Sequence, residues 1–348
     1  MQRNFILTDV MKTGYHQDLE GYINMHTLEK QSFDCTGEYY TLHQYDLDSY
    51  DRRIAIIDTR STNKRINGKT FNDDLRKRYD LLHSQGFHFI KANPWESLYN
   101  MEEKGHTPYP VIDIPHIKWT GGVSWFWFYM YRKHSGKQYN FDHSSKKYDF
   151  LYLNKTAREH RVKLYNKLKE VGILSNSLST FHNLDNTTLP QKYELPGVID
   201  YPYRGLDQDI FELPYNDTKF SLVSETNDVT NEVFMTEKIW KPIIAGHMFV
   251  VHGNPLYLQK LRELGFKTFN NYFDESYDLE ENKNTRIDKI VKLCNELKDC
   301  YWEDMYMLSK GLRQHNTDLF FNKEKLSEEV NKQLNLFLEF VDGSKISS

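Results

Sequence analysis

The sequence predicts an α/β protein of two domains, residues 1–145 and 146–348, each folded around a parallel sheet. Two observations predict the class. Short apolar runs of strand length alternate with segments of helical period, the pattern of βαβ units. Two of the early runs also end on an acid, and ligands in such sheets bind beyond the strand C-termini. A third observation predicts the division: a polar stretch from Lys133 to Lys147 separates two series of this kind, and 348 residues are long for one core and sufficient for two.

In the first series, Phe5–Asp9 reads as a strand ending in an acid, and Ile54–Asp58 repeats the pattern. Asn72–Gln85, with leucines at 75, 81 and 82, reads as a helix stopped by Gly86, and Phe87–Lys91 as the next strand. Trp119–Tyr131 is densely aromatic, which fits a buried helix or strand or, alternatively, a platform on which a sugar stacks. In the second series Tyr148–Leu153 is a strand, Asn154-Lys-Thr a turn and Ala157–Glu170 a helix. Phe220–Ser224 and His247–Val251 are strands with the helix Thr236–Ala245 between them, and Pro255–Leu264 is a helix ended by Gly265. Arg286–Leu297 and Lys323–Phe340 carry helical periodicity, and the chain shows no internal repeat.

The composition, 39% hydrophobic and 27% charged, is that of a folded protein. A net charge of −4 argues against coating nucleic acid by bulk electrostatics. The charge is uneven, however. Residues 60–91 hold eight Lys/Arg against three Asp/Glu, and residues 132–147 five against one. These stretches fit solvated helix faces or a surface that meets an anionic acceptor. Three cysteines (Cys35, Cys294 and Cys300) are too few to staple the chain, which points to a reducing compartment. No 18-residue apolar run and no signal h-region are present, so the expected location is the cytoplasm (a host's, if the protein is viral), with no membrane span. The sequons at Asn154, Asn186 and Asn216 then read as coincidental. Abundant Lys, Asn, Tyr, Phe and Ile fit a low-GC viral or bacterial genome.

The chemistry concentrates in residues 219–253. A strand ends in Glu225, a loop follows, and a helix begins with Thr236, Glu237 and Lys238 before a second strand closes on His252-Gly253. A helix N-terminus at the C-terminal edge of a sheet offers backbone N–H groups and partial positive charge, which suits a diphosphate. Lys238 adds a point charge, and an acid there can accept ribose hydroxyls. The alternative is a plain capped helix, with Thr236 as N-cap and Glu237 in the first turn.

This stretch resembles the α-1,3-fucosyltransferase family, whose hallmark is Lys-Phe-x-x-x-Phe-Glu-Asn followed by Tyr-Val/Ile-Thr-Glu-Lys. The chain has Lys219-Phe220, Ser224-Glu225-Thr226, Phe234-Met235-Thr236-Glu237-Lys238 and then Ile239-Trp240-Lys241. The resemblance covers about residues 148–280. It implies a GT-B fold, two Rossmann-like domains facing across a cleft, and a glycosyltransferase that needs no cofactor beyond a nucleotide-sugar co-substrate. By the same resemblance Phe234 packs on the base, Glu237 holds the ribose, Lys238 meets the diphosphate and Glu225 approaches the donor. Thr226 stands where the family has asparagine and Phe234 where it has tyrosine, which leaves the donor open between GDP- and UDP-sugars.

Asn154-Lys-Thr-Ala-Arg158-Glu-His-Arg161 forms a second cluster at a strand–helix turn. In the resembling family an arginine after this strand grips the donor phosphates. Arg161 is slightly favoured over Arg158, and a surface Arg/Glu helix is the alternative. Asp46-Leu-Asp48 and Asp207-Gln-Asp209, the tripeptide of metal-dependent transferases, lie in polar, strand-poor segments, so no metal is expected. The resemblance implies inversion, which needs a base on the acceptor hydroxyl. The candidates are Asp9, Asp58, Glu96 and Asp113. Asp58 has the cleaner strand-end position, and Glu96 has Trp95 beside it to pack on a sugar and raise its pKa. The acceptor is a glycan or a hydroxymethylated base in viral DNA, the basic stretches mildly favouring DNA. A non-catalytic nucleotide- or sugar-binding α/β protein is the alternative of a different class.

Overall fold

A computed structural model describes residues 4–8, 32–36, 54–57, 83–86, 88–91, 111–112, 123–156, 158–183, 209–226, 228, 233–329 and 332. Contacts within the chain divide it into two units, Met1–Tyr129 with Lys323–Ser348, and Met130–Asn322.

The first unit holds β1 (Asn4–Thr8), β2 (Ser32–Thr36), β3 (Ile54–Ile57), β4 (His88–Lys91) and β5 (Val111–Ile112). All are parallel, in the order β2-β1-β3-β4-β5. The runs expected at Phe5, Ile54 and Phe87 are β1, β3 and β4. β2 and β5 escape the sequence reading because Ser-Phe-Asp-Cys-Thr and a two-residue strand carry too little apolar pattern. Of the helix expected over Asn72–Gln85, His83 and Ser84 are described and helical, and Gly86 ends it at φ 77°. The aromatic run Trp119–Tyr131 gives α1 (Val123–His134), in which Phe126, Trp127 and Phe128 are buried, as a core helix requires. Residues 323–329 are helical, and beyond them only Lys332 of the expected Lys323–Phe340 helix is described.

The second unit holds β6 (Tyr148–Thr156), β7 (Ser177–Asn183), β8 (Thr218–Ser224) and β9 (Met248–His252). They are parallel in the order β7-β6-β8-β9. β8 and β9 are almost wholly buried, which is why Phe-Ser-Leu-Val and Met-Phe-Val-Val read as apolar runs rather than as alternating strands. Around the sheet lie α2 (Glu159–Glu170), α3 (Glu212–Asp217), α4 (Glu237–Ile244), α5 (Tyr257–Glu263), α6 (Lys283–Lys298), α7 (Trp302–Leu308) and α8 (Lys310–Phe320). Trp240 on α4 is fully buried between Phe266 and Phe320. Among the described residues no helix is long and apolar enough to cross a membrane.

In both sheets the second strand lies on one side of the first and the third on the other. This order creates a topological switch point, between β1 and β3 and between β6 and β8, and ligands in doubly wound sheets bind outside the strand C-termini at that point. The feature most relevant to function is therefore the end of β6 and β8.

At the opposite edge of the second sheet a cluster of basic side chains is satisfied internally. Lys146 donates to Nδ1 of His143 and to the carbonyl of Tyr215, both at 2.8 Å, and packs over Trp302. With Nδ1 accepting, Nε2 of His143 carries the proton and donates to the carbonyl of Ala245 at 3.0 Å. His247 bonds Ser221 and the carbonyl of Thr218. Burial, then the Lys146 charge, pushes His143 down to about 4 and lowers His247 in the same way. The unfolded chain therefore binds more protons than the folded one below the ordinary histidine value of 6.5. This contribution to stability is complete above that value and is lost as pH falls toward 4. Thermal denaturation should show a melting temperature that falls between pH 7 and pH 5. His143→Gln, which keeps a donor for Ala245, should make the fall shallower.

Candidate functional site

β8 ends at Ser224, and the next residue, Glu225, continues the ladder by donating its N–H to the carbonyl of His252 at 2.8 Å. The Glu225 side chain is fully buried. A buried carboxylate is tolerated only when its oxygens are satisfied, and four donors do this. Oε1 accepts from the Tyr257 hydroxyl at 2.6 Å and the Thr236 N–H at 3.1 Å. Oε2 accepts from the Thr236 hydroxyl at 2.7 Å and the Thr226 N–H at 3.3 Å. Glu225 was expected to approach the donor; its oxygens are instead spent on fixing the start of α4.

Thr236 is the N-cap of α4, and its hydroxyl accepts from the Lys238 N–H. It also accepts from the Lys238 ammonium at 3.0 Å, which further bonds the Thr226 hydroxyl at 3.3 Å and Glu237 Oε1 at 2.6 Å. Lys238 keeps 21% of its side chain exposed, while Glu237 keeps 8%. Burial alone would raise the Glu237 carboxyl, but the charge and hydrogen bond of Lys238, with Lys241 behind, hold it below its ordinary value. The first turn of α4 is thus an ionised pair with the helix dipole beneath it.

The two arginines separate. Arg158 is the N-cap of α2, with extended backbone, and is exposed. Arg161 is buried, and its guanidinium donates to the carbonyls of Ser224 and Glu225 at 2.9–3.3 Å. The helix starts one residue after Arg158, so Arg161 lies within it and Arg158 does not. Arg161 ties α2 to the end of β8, and Arg158 is the arginine on the surface. His160, beside it, bonds the Glu225 carbonyl at 3.0 Å and faces Asp228 at 3.6 Å.

Asn154 sits near the C-terminal end of β6, next to the switch point. Its residue is 3% exposed, its backbone pairs with the Thr180 hydroxyl, and neither its side-chain nitrogen nor its oxygen has a hydrogen-bond partner among the described residues. Nε2 of His252, at the end of β9, is likewise unpartnered. Phe234 is buried at 6% exposure, with its N–H on Asn254 Oδ1.

Glu96 and Asp58, the expected bases, and the alternatives Asp9 and Asp113 lie outside the described residues, as do Asp46, Asp48 and Asp207. Asp209 pairs with Lys133 at 2.9 Å. Among the described residues no group of three or more His, Cys, Asp or Glu is arranged to hold a metal ion. Tyr257 and His160 were missed by sequence reasoning. The one signal for Tyr257 was Gly253, where a Cβ would lie 2.8 Å from the Tyr257 ring.

No family model matches the chain, and no curated protein matches it. Among solved structures it is similar to an alpha1,3-fucosyltransferase, with a TM-score of 0.47 and 9% identity over 98% of this chain and 91% of that one. It is also similar to an alpha1,3-fucosyltransferase with GDP-fucose, at 0.42 and 10% over 98% and 90%. A third similarity is to the glycotransferase of kitacinnamycin, at 0.35 and 10% over 96% and 99%.

The Glu225–Thr236 pair sets a stability prediction. Thr236→Ala removes the helix cap, at a cost of about 1–2 kcal/mol, and takes from Glu225 Oε2 the shorter of its two buried hydrogen bonds, at about 1–3 kcal/mol more. Urea unfolding should show a combined loss of about 2–5 kcal/mol, with Thr236→Ser retaining most of the wild-type stability.

Proposed function

We propose that the protein is a glycosyltransferase that moves a sugar from a GDP- or UDP-sugar to an acceptor hydroxyl with inversion and without a metal. The observation that carries this reading is the first turn of α4. Its N-terminus and the Lys238 ammonium lie beyond the end of β8, at the switch point, with the Asn154 amide, unpaired among the described residues, near the end of the neighbouring strand. That combination suits a diphosphate.

In the proposed reaction the bond between the sugar's anomeric carbon and the diphosphate oxygen breaks, and a bond from the acceptor oxygen to that carbon forms on the opposite face. The acceptor proton passes to a carboxylate of the first unit, Glu96 or Asp58. The electron pair leaves on the diphosphate, where Lys238, the α4 dipole and Arg158 stabilise the charge. Arg161 and Glu225 hold these groups in place, Glu237 accepts from the ribose, and Phe234 packs on the base. Metal independence follows from these cations carrying the leaving-group charge, and inversion from the family resemblance.

A glycan hydroxyl is the favoured acceptor. The basic stretch at 132–147 is largely used internally: Lys133 pairs with Asp209, Lys147 with Asp217, and Lys146 with His143 and Tyr215. That removes much of the charge a DNA backbone would need.

Thermal shift with GDP, UDP, ADP and CMP tests the site. A ligand at about 100 times its Kd adds about 2.7 kcal/mol, a rise of a few degrees for a protein of this size. GDP or UDP should raise the melting temperature, the rise should survive EDTA, and Lys238→Ala should lose it. A shift only with a divalent ion, or none with any nucleotide, sinks the proposal.

A further inference from the structure

The segment Phe234–Lys238, on which the proposed donor site rests, is held from outside by the turn that follows β9. Asn254 Oδ1 accepts the Phe234 N–H at 3.4 Å. Three residues on, the Tyr257 hydroxyl reaches Glu225 Oε1 at 2.6 Å, the shortest of that carboxylate's four bonds. The turn has a fixed shape. Leu256 is the one non-glycine residue with positive φ among the described residues, at 63°, its N–H on the Asp278 carbonyl at 2.7 Å. The Asp278 carboxylate then caps α5 by accepting from the N–H groups of Leu258 and Gln259 at 2.8 and 3.0 Å. Gly253 leaves room for the Tyr257 ring, since any Cβ there would fall 2.8 Å from it.

Resting on the donor-site reading, we propose that Tyr257 is a positioning residue of that site: its hydroxyl fixes the Glu225 carboxylate, which fixes Thr236, which sets the Lys238 ammonium. The chain of contacts is continuous, from Tyr257 through Glu225 Oε1 and Oε2 to the Thr236 hydroxyl and on to Lys238 at 3.0 Å. Without the hydroxyl, Oε1 keeps one donor, the Thr236 N–H, and the carboxylate is free to shift, carrying the Thr236 hydroxyl and the Lys238 ammonium bonded to it out of place. Burial and the adjacent Glu225 charge raise the Tyr257 phenol well above its ordinary value, so it remains a donor at every working pH. Tyr257 touches no reacting atom in this scheme.

The test is calorimetric titration of GDP and UDP into wild type, Tyr257→Phe and Tyr277→Phe, well below the melting temperature. Tyr277→Phe is the control, because it also removes one buried hydroxyl, the acceptor of the Val251 N–H at 3.2 Å, without touching Glu225. Tyr257→Phe should weaken the bound nucleotide by about tenfold, the scale of a lost hydrogen bond to a charged group, and the control should not. In a Glu225→Gln background Tyr257→Phe should have little further effect. Gly253→Ala, which displaces the Tyr257 ring and keeps its hydroxyl, should weaken binding in the same direction and serves if Tyr257→Phe folds poorly. Unchanged affinity in Tyr257→Phe, or equal losses in the two tyrosine variants, overturns the role of Tyr257 while leaving the donor site intact. Wild type that takes up neither GDP nor UDP removes the donor-site reading and this role with it.

Discussion

A carboxylate with no access to water sets the geometry of the second unit's functional edge. Glu225 is ionisable, fully buried and at the tip of a central strand, so each of its oxygens must find protein donors or the fold loses several kcal/mol. The donors come from three places in the chain: Thr226 just after β8, Thr236 at the head of α4, and Tyr257 on α5. Satisfying one charge therefore fixes one strand end and two helices relative to one another. Arg161 adds a third helix, α2, through the backbone carbonyls of Ser224 and Glu225. The result is a base of fixed groups against which the half-buried Lys238 is held through Thr236.

That division of labour explains why so many charged residues gather where only some are exposed. Arg161 and Glu225 are spent on each other's surroundings and form a platform, while Lys238 and Arg158 are at the surface. Rigid support beneath a small number of placed charges is what electrostatic stabilisation of a leaving group demands, because donors already in position cost no reorganisation when charge develops. Asn154 and His252, whose side chains carry atoms with no hydrogen-bond partner among the described residues, lie toward the ends of β6 and β9 along the same edge.

Much of the second unit was legible in its sequence. Continuous apolar runs gave β6, β8 and β9, and the Thr236-Glu237-Lys238 triplet gave the head of α4 to the residue. What stayed hidden depended on burial and contact rather than on pattern. The spacing of Arg158 and Arg161 suggests one helical face, but the start of α2 at Glu159 puts one at the cap and the other in the core. Glu225 reads as an exposed strand-end acid until its four donors are known, three of them more than ten residues away. Tyr257 is signalled only by Gly253, whose missing side chain leaves room for its ring. The basic run at 132–147 reads as a surface, and its acidic and carbonyl partners lie some seventy residues or more further along the chain.

Release of nucleoside diphosphate from GDP- and UDP-sugars, followed in EDTA with and without a panel of oligosaccharide acceptors, is the most direct measurement. Turnover of one nucleotide class that rises with an acceptor and persists without metal is the expected result, and Lys238→Ala should abolish it. Absence of turnover with every GDP- and UDP-sugar, in a protein that still binds the nucleotide, would contradict sugar transfer and leave a nucleotide-binding protein in its place.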